Sequence, residues 1–346
     1  MSGGLLVIAH EATRSGGNQV LAQLLRQVRS QVQVPVAVEL LSGGPMSAEL
    51  RSLATDQRGT MRPRAVLANS ALSAHALHRF DAEVPCAVYV HEDDEALALL
   101  DDATCSALVE RCSRVMCVSA AAAAAVADLG VPMGRIRIVP PVVGAVRPPD
   151  DTATAAARRQ MGASPGDPLV VACGELAWHK GPDLFVDLAL RLRDQPCRFA
   201  WVGRRPLGLR RVVEADAVSA GVDDRVVWTG EVPDALPFLR AADLVVSTSR
   251  RDAQPLVPVE AALLGTPTAG FAVGGLADLG SDGCAATVPY PDTVALADVV
   301  RSLINDPRRC AALASSGAQR AVERQSPDVV GRIFIDEVAQ LLGCEA

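Results

Sequence analysis

Short apolar runs alternate with longer amphipathic segments along the whole chain of 346 residues. The apolar runs have the length and the Val, Ile, Leu and Ala content of buried strands, and the segments between them have the period of helices. Strands are predicted over 5–9, 34–41, 64–69, 85–90, 114–118, 135–139, 168–173, 198–202, 225–229, 243–247, 267–271 and 284–288. Helices are predicted over 17–31, 46–58, 71–80, 93–100, 103–111, 119–129, 152–161, 181–193, 208–219, 234–241, 257–264, 292–305, 307–324 and 327–342. This alternation predicts parallel sheets that are covered by helices on both faces.

Two proline-rich segments interrupt the alternation near the middle of the chain. They are Pro140-Pro141 and Pro148-Pro149-Asp150-Asp151, and the pattern restarts after them. The sequence therefore predicts an α/β protein with two doubly wound, Rossmann-like domains, over residues 1–148 and 149–326. Ligands of such sheets bind beyond the carboxyl ends of the strands, so we expect the two domains to face a cleft that holds a small molecule.

Composition excludes several classes of protein. Aromatic residues make up 3% of the chain and the net charge is −7, which argues against a nucleic-acid partner. Nine cysteines without a C-x-x-C pair indicate reduced thiols in a cytoplasmic protein rather than disulfides or a zinc site. We recognise no signal peptide and no transmembrane segment, and the oligomeric state, monomer or homodimer, stays open.

The most informative single residue is Lys180, because it is the only lysine beside 32 arginines (33 basic residues minus one). It follows the predicted strand 168–173 and precedes a predicted helix. Lysine presents a compact point charge and arginine a planar fork, so the two are not interchangeable at a phosphate. A lone lysine at a helix N-terminus suggests a phosphate site, and the alternative is a chance surface residue.

A second candidate segment follows the predicted strand 243–247. Asp252 and Glu260 lie eight residues apart in it and flank the entry to a helix that we expect to begin near Pro258. Backbone N–H groups over 254–257 would point from the helix N-terminus toward an anion. A carboxylate at such a site can bind the hydroxyl groups of a sugar or a ribose. The alternative is an ordinary helix entry with two unrelated acids.

Two further candidates lie in the first half of the chain. Gly16 and Gly17 open a helix after the first strand, where a ligand can approach the backbone closely, although the loop is neither a dinucleotide fingerprint nor a Walker loop. His91 directly follows the strand 85–90, at its carboxyl end, and could hydrogen-bond a hydroxyl or act as a base. Acidic residues follow it over 92–95. We interpret them as the solvated start of a helix rather than as an acidic rim that attracts a cationic acceptor.

Several of these segments resemble, in order along the chain, the motifs of the retaining GT-B glycosyltransferases of family 4, also called glycosyltransferase group 1. The sequence D-A-Q-P-L-V-P-V-E at 252–260 resembles the family form E-P-F-G-L-V-x-x-E. The other segments that carry the resemblance are 174–184 with its lysine-glycine pair, the glycine-glycine loop 274–278, the strand 115–119, and the segments 10–16 and 89–92. The resemblance covers essentially the whole chain.

The resemblance implies a role for each candidate residue. Lys180 would bind the diphosphate of the donor, Asp252 the hydroxyls of the donor sugar and Glu260 the ribose, with His91 near the reacting sugar. The backbone at Gly16 and Gly17 would approach the donor phosphates or the acceptor. Further donor contacts would come from Gln254, Pro255, Leu256 and Val257. The C-terminal segment 327–346 would cross back onto the first domain.

The implied activity is the retaining, metal-independent transfer of a sugar from a UDP- or GDP-linked donor to a small-molecule hydroxyl, with no cofactor. The acidic run 92–95 permits an amine-bearing acceptor. Glu175 departs from the family by reversing a charge where an arginine is common, so His179, Arg204 or Arg250 would supply the second cation. The alternatives are a nucleotide-sugar epimerase, a pseudo-glycosyltransferase, a non-catalytic sugar binder and a partner subunit.

Overall fold

A computed structural model describes residues 3–31, 34–56, 61–144 and 146–343. By contacts between Cα atoms the chain divides into two compact units. The first unit is residues 1–144 with 325–346, and the second is residues 145–324. Each unit contains one six-stranded, all-parallel sheet. The hydrophobic pattern predicts two parallel sheets flanked by helices, and the structure confirms them.

The strands agree closely with the predicted apolar runs. In chain order they are β1 (Gly4–Ala9), β2 (Val36–Leu40), β3 (Pro63–Asn69), β4 (Cys86–Val90), β5 (Cys112–Cys117), β6 (Ile136–Ile138), β7 (Leu169–Cys173), β8 (Arg198–Val202), β9 (Val226–Gly230), β10 (Leu244–Ser247), β11 (Thr268–Phe271) and β12 (Ala286–Val288). Strand β4 is buried along its whole length and β7 along all but its last residue, as the apolar composition of strands in a parallel sheet requires.

Helices connect these strands. They are α1 (Gly16–Gln31), α2 (Ser47–Leu53), α3 (Asp94–Ala98), α4 (Asp102–Ser106), α5 (Ala120–Asp128), α6 (Asp151–Gln160), α7 (Pro182–Arg191), α8 (Leu207–Ala220), α9 (Leu236–Ala241), α10 (Leu256–Leu263), α11 (Gly275–Ser281), α12 (Thr293–Asn305), α13 (Pro307–Gln325) and α14 (Pro327–Leu341). Within the described ranges, no helix has both the length and the apolar character needed to cross a bilayer. The cysteines that the structure describes are free thiols.

Each sheet has one point at which the chain reverses its direction across the strands. The first sheet has the order β2-β1-β3-β4-β5-β6, so its switch point lies between β1 and β3. The second sheet has the order β12-β11-β10-β7-β8-β9, and its switch point lies between β7 and β10. Open α/β sheets bind their ligands beyond the carboxyl ends of the strands at these points.

Aromatic side chains pack under the switch point of the second unit. Phe185 of α7 makes edge-to-face contacts with Phe199 and Trp201 of β8, at ring-centroid separations of 5.9 and 5.4 Å. The indole N–H of Trp201 donates to the carbonyl oxygen of Gly174, 2.9 Å away. This bond ties the end of β7 to the buried centre of the sheet, and it fixes the start of the loop that leads to Lys180.

Helix α14 packs on the first unit. Phe334 is buried with its ring centroid 5.9 Å from that of Tyr89 in β4. Gln27 of α1 donates to the carbonyl oxygen of Pro327 at 2.9 Å, and Arg114 forms an ion pair with Glu337 at 3.1 Å. These contacts anchor the last helix to the sheet that contains Tyr89.

Some helix predictions are wrong in extent or type. The helix predicted over 46–58 ends at Leu53, because Ala54 is extended and the next two N–H groups donate to Val36 of the edge strand; residues 57 and 58 lie outside the described part. The helix predicted over 71–80 is a 3₁₀ helix, and the one over 103–111 is an α turn followed by a π turn. The predicted loop 274–278 is wrong, because α11 begins at Gly275.

Candidate functional site

A single 3₁₀ turn, Trp178–Lys180, carries the lysine beyond the carboxyl end of β7. The next residue, Gly181, has a φ of +67°, and a Cβ atom there would lie 2.1 Å from the carbonyl oxygen of Thr248. The Thr248 hydroxyl is 2.9 Å from the carbonyl oxygen of Gly181 and 3.2 Å from that of Lys180, and it donates to them. The loop after β10 therefore fastens the backbone that positions the lysine.

The ammonium group of Lys180 contacts the carboxylate of Asp252. The two residues are 72 positions apart in the chain, but β7 and β10 are neighbours at the switch point, so the loops that follow them meet. Their side chains are 26% and 14% exposed. A partly buried ion pair of this kind holds both groups in place.

Backbone packing sets the path of the loop that carries Asp252. Gly274 has a φ of +48°, and a Cβ atom there would lie 1.7 Å from the carbonyl oxygen of Asp252. The N–H of Gly275 donates to the carbonyl oxygens of Ala253 and Asp252, at 3.0 and 3.3 Å. The backbone of the two glycines packs directly against the loop, and this contact defines the backbone position of Asp252 beside Lys180.

Helix α10 begins after this loop, with Pro255 as its N-cap and no capping side chain. The expectation of backbone donors throughout 254–257 is wrong at one position, because proline has no N–H. Gln254, Leu256 and Val257 retain theirs, and the orphan N–H groups of the first helical turn suit an anion. Pro258, expected to mark the helix start, lies inside the first turn.

Glu260 lies one turn further along α10 and is half-buried. Burial raises the pKa of its carboxyl group, and the nearby charge of Asp234 raises it further. Within the described residues no group hydrogen-bonds to this carboxylate or forms an ion pair with it. An unpaired, desolvated carboxylate gains most from a ligand that donates hydrogen bonds, and a vicinal diol is such a ligand.

Two arginines flank the lysine, and their partners differ. Arg250 donates to both carboxylate oxygens of Asp183, at 2.8 and 2.6 Å, and this pairing raises the pKa of the guanidinium. Arg204 pairs with Glu175 at 2.6 Å, with side chains that are 62% and 44% exposed. An exposed pair separates at little cost, whereas the bidentate pair does not. Of these two arginines, Arg204 is the one that can move to an anion.

In the first unit, α1 begins at Gly16 beyond the carboxyl end of β1, with no acidic residue in its first turn. A Cβ atom at Gly17 would lie 3.3 Å from Cγ of His91, which is tight packing. Backbone and imidazole are therefore in contact at the switch point of the first sheet.

His91 is held by the buried side chain of Asn69, at the end of β3. The imidazole Nε2 is 3.0 Å from the amide oxygen of Asn69, and the amide nitrogen faces the carbonyl oxygen of Gly17 at 3.5 Å. This arrangement assigns the ring proton to Nε2, which leaves Nδ1 as an acceptor. Burial lowers the pKa of His91 to about 4, against the opposing effect of Glu92. The imidazole is thus neutral at pH 7.

The carboxylates of Glu92 and Asp93 accept hydrogen bonds from groups close to them in the structure. The carboxylate of Glu92 accepts hydrogen bonds from the Ser70 hydroxyl and from the N–H groups of Ala71 and His91, the latter two at 3.1 and 2.9 Å. Asp93 caps α3 by accepting from the N–H of Ala96 at 2.9 Å. The acids after His91 therefore begin a helix and brace the preceding loop, in agreement with the favoured interpretation, and these two form no acidic rim.

Residues 167–306 match the family model described as glycosyl transferases group 1. The matched segment contains the second switch point with Lys180, Asp252 and Glu260. The match covers 140 of the 346 residues of the chain, all of them in the second unit.

Two relatives illustrate what the chain is similar to over a longer stretch than this segment. It is 35% identical over 222 residues to a D-inositol 3-phosphate glycosyltransferase of Xylanimonas cellulosilytica, which is 61% of this chain and 52% of the relative. It is 34% identical over 245 residues to a 2-deoxystreptamine N-acetyl-D-glucosaminyltransferase of Streptomyces fradiae, which is 68% of this chain and 55% of the relative. The chain thus spans about half the length of the curated relatives it matches.

Solved structures share the fold over nearly the whole chain. The Anabaena protein Alr3699/HepE, in a complex with UDP-glucose, superimposes with a TM-score of 0.83 at 18% identity, covering 97% of this chain and 99% of that protein. The lipopolysaccharide glycosyltransferase WaaG superimposes with a TM-score of 0.74 at 17% identity, covering 96% and 99%. The two sheets therefore have the GT-B fold.

The structure brings Lys180 and Asp252 into contact, and places Glu260 on the helix that follows. Arg204 and the 254–257 segment belong to the same unit, while Gly16, Gly17 and His91 belong to the first. The roles predicted for these residues stay predictions. Sequence reasoning missed Asn69, Ser70, Thr248 and Trp178, although a polar residue at the end of an apolar strand, as at Asn69, is a readable signal.

We predict that His91 makes the stability of this protein sensitive to acid. Its pKa is about 4 in the folded state and 6.5 when unfolded, so the unfolded state alone takes up the proton between these values. The free energy of unfolding should therefore fall by roughly 2–3 kcal/mol as the pH drops from 6.5 to 4. Urea denaturation at pH 7.5 and 4 should show a smaller loss in His91→Gln than in wild type. The exposed His75→Gln variant is the control, and equal losses in His91→Gln and wild type would contradict the prediction.

Proposed function

We propose that the protein is a retaining, metal-independent glycosyltransferase that moves a sugar from a UDP- or GDP-linked donor to a hydroxyl of a small molecule. The observation that carries the proposal is the contact between Lys180 and Asp252 at the second switch point, with Glu260 unpaired one turn beyond on α10. A cation for a diphosphate and two carboxylates for hydroxyl groups are the charges that a nucleotide-sugar needs.

Donor binding would replace the internal ion pair. The diphosphate would attract Lys180, and Asp252 would then accept hydrogen bonds from hydroxyls of the donor sugar. Glu260 would hold the ribose diol, and the N–H groups of Gln254, Leu256 and Val257 would face the phosphate or the sugar. Pro255 would contribute through its fixed backbone angle alone. Gly16 and Gly17, in the first unit, would present the N-terminus of α1 to a phosphate or to the acceptor.

A second cation for the diphosphate is proposed to be Arg204. Glu175, at the position where an arginine is common in the family, holds Arg204 in an exposed pair at 2.6 Å. Because water screens that pair, a bound diphosphate can draw the guanidinium away. Arg250 is a weaker choice, since its two bonds to Asp183 would have to break.

The proposed reaction needs no protein nucleophile. The bond between the anomeric carbon and the diphosphate breaks, and the acceptor oxygen bonds to that carbon on the same face. The acceptor proton passes to an oxygen of the departing phosphate. Lys180 would stabilise the charge that develops on the leaving group. The neutral His91 would offer Nδ1 to a sugar hydroxyl. Within the described ranges no cluster of His, Cys, Asp or Glu is arranged as a metal site.

The two relatives act, by their names, on a cyclitol phosphate and on an aminocyclitol. A cyclitol is therefore the acceptor class we propose to test first. The sequence argument for an amine-bearing acceptor is weakened, because Glu92 and Asp93 are engaged in local hydrogen bonds. Product analysis with and without acceptor separates transfer from epimerisation, and from a pseudo-glycosyltransferase.

We expect one nucleoside diphosphate to stabilise the protein selectively. UDP, GDP, ADP and dTDP are compared in a thermal-shift assay, with and without EDTA, and free glucose is the control. A nucleotide at 100 times its Kd adds roughly 2.7 kcal/mol to the free energy of unfolding, so the midpoint rises measurably. A shift with free sugar and none with any nucleotide would instead indicate a sugar-binding protein. A shift that EDTA abolishes would contradict metal independence.

A further inference from the structure

An indole ring lies exposed beside the proposed donor site. Trp178 is 60% exposed, while Trp201, a strand residue of the same unit, is fully buried. Trp178 belongs to the same 3₁₀ turn as Lys180 and lies two residues before it. A single exposed apolar residue is ordinary on a protein surface, so what distinguishes Trp178 is its place beside Lys180 and the way its ring is held.

The ring is held in a defined orientation. The guanidinium carbon of Arg250 lies 3.6 Å from the ring centroid of Trp178, within the range of a cation–π contact. Arg250 also donates to the carbonyl oxygen of Trp178 at 3.1 Å and to both carboxylate oxygens of Asp183. The guanidinium thus covers one face of the indole and is itself fixed on two sides. Because the side chain is 60% exposed although one face is covered, we take the opposite face as the open one.

The neighbours of the indole place it at one end of the proposed site. Arg250 lies close to Tyr290, which follows β12, so the stacked pair lies toward β12. Glu260, by contrast, feels the charge of Asp234 after β9 and lies close to Cys173 of β7. The Lys180–Asp252 pair adjoins both groups, because Lys180 shares the turn of Trp178 and lies, like Glu260, close to Cys173. If the ribose is at Glu260 and the diphosphate at Lys180, the sugar end of the donor points toward Trp178.

We propose that Trp178 is a stacking platform for the C–H face of a saturated, polyhydroxylated six-membered ring, either the transferred sugar or a cyclic acceptor. The inference rests on the proposed function. An indole face carries negative charge density that attracts polarised C–H groups, and it buries the apolar side of such a ring while the hydroxyls stay at its rim. The clamp by Arg250 reduces the conformational entropy that the indole loses when the ring binds.

The test compares Trp178→Ala and Trp178→Phe with wild type. Val218→Ala, which alters an exposed apolar residue on α8, is the control. The probes are UDP, UDP-glucose, 2-deoxystreptamine and myo-inositol. Stacking on the donor sugar predicts a Kd for UDP-glucose about fivefold or more higher in Trp178→Ala, with the Kd of UDP unchanged. Stacking on the acceptor predicts the same increase in the acceptor KM alone. Trp178→Phe should recover most of either loss.

Three results with the variants would overturn the platform. Values within twofold of wild type for every probe in Trp178→Ala would show that the open face binds nothing. An equal loss for UDP and UDP-glucose would show that the ring contacts the nucleotide. Equal damage in Trp178→Phe and Trp178→Ala would show that the indole N–H matters rather than the face. Wild-type protein that binds neither these probes nor GDP would reject the proposed function together with the platform.

Discussion

Replacing Lys180 by alanine should lower kcat/KM for sugar transfer about a hundredfold, which is roughly 2.7 kcal/mol of lost transition-state stabilisation. The ammonium group would stabilise charge on the departing diphosphate, and no other lysine exists to replace it. Removing it also leaves the carboxylate of Asp252 without its ion-pair partner. Initial rates with a UDP-sugar and an active acceptor measure the change.

Lys180→Arg is the matched variant for this prediction. It keeps the positive charge, but a planar fork fits poorly where a flexible point charge sits between a carboxylate and a phosphate. We expect it to restore activity only in part. A double-mutant cycle with Asp252→Asn separates the loss of the lysine from the effect of an unpaired aspartate. A loss smaller than about tenfold in Lys180→Ala would exclude the assigned role.

Replacing Glu260 and replacing Asp252 by alanine should affect different quantities, the affinity for UDP in the first case and kcat in the second. Glu260→Ala removes the proposed ribose contact, so the Kd of UDP should rise about tenfold or more. Asp252→Ala removes a contact to the donor sugar and frees Lys180 from its internal partner. The Kd of UDP should then stay constant or fall, while kcat drops about a hundredfold, the size typical of losing one transition-state contact. Isothermal titration with UDP and steady-state kinetics measure the two effects.

The isosteric variants Asp252→Asn and Glu260→Gln serve as controls, because they remove charge without removing volume. Within the described residues Glu260 has no bonding partner, so its replacement leaves no unpaired ion behind and the protein should remain folded. An equal loss of UDP affinity in Asp252→Ala and Glu260→Ala would contradict the division of roles.

Much of the fold could be predicted because periodicity is a local property. Every predicted strand is present, since a strand buried on both faces must be a short apolar run. Errors arose where local signals mislead. The glycine pair at 274–275 is typical of a loop, but Gly274 turns the chain at a positive φ and Gly275 begins a helix. Proline at 255 removes a backbone donor that the helix-start argument had assumed.

The chemistry of the site was less accessible to sequence reasoning. Lys180 and Asp252 could each be singled out, but their contact depends on β7 and β10 being neighbours, which no local pattern fixes. The pairing of Arg204 with Glu175 likewise depends on β7 and β8 being neighbours in the sheet. The clamp on Trp178 joins loops 72 residues apart, so the indole could not be distinguished from an ordinary surface aromatic. The order of the strands within each sheet is the information that local sequence patterns do not contain.

The pairing of the sole lysine with Asp252 has a practical consequence for chemical labelling. Reagents that acylate amines find only two kinds of target on this chain, the terminal α-amino group and the Lys180 side chain. The second is held against a carboxylate at the proposed donor site. Acylation at this one side chain, read by peptide mapping, therefore reports on whether that site is occupied, without any tag or introduced reporter.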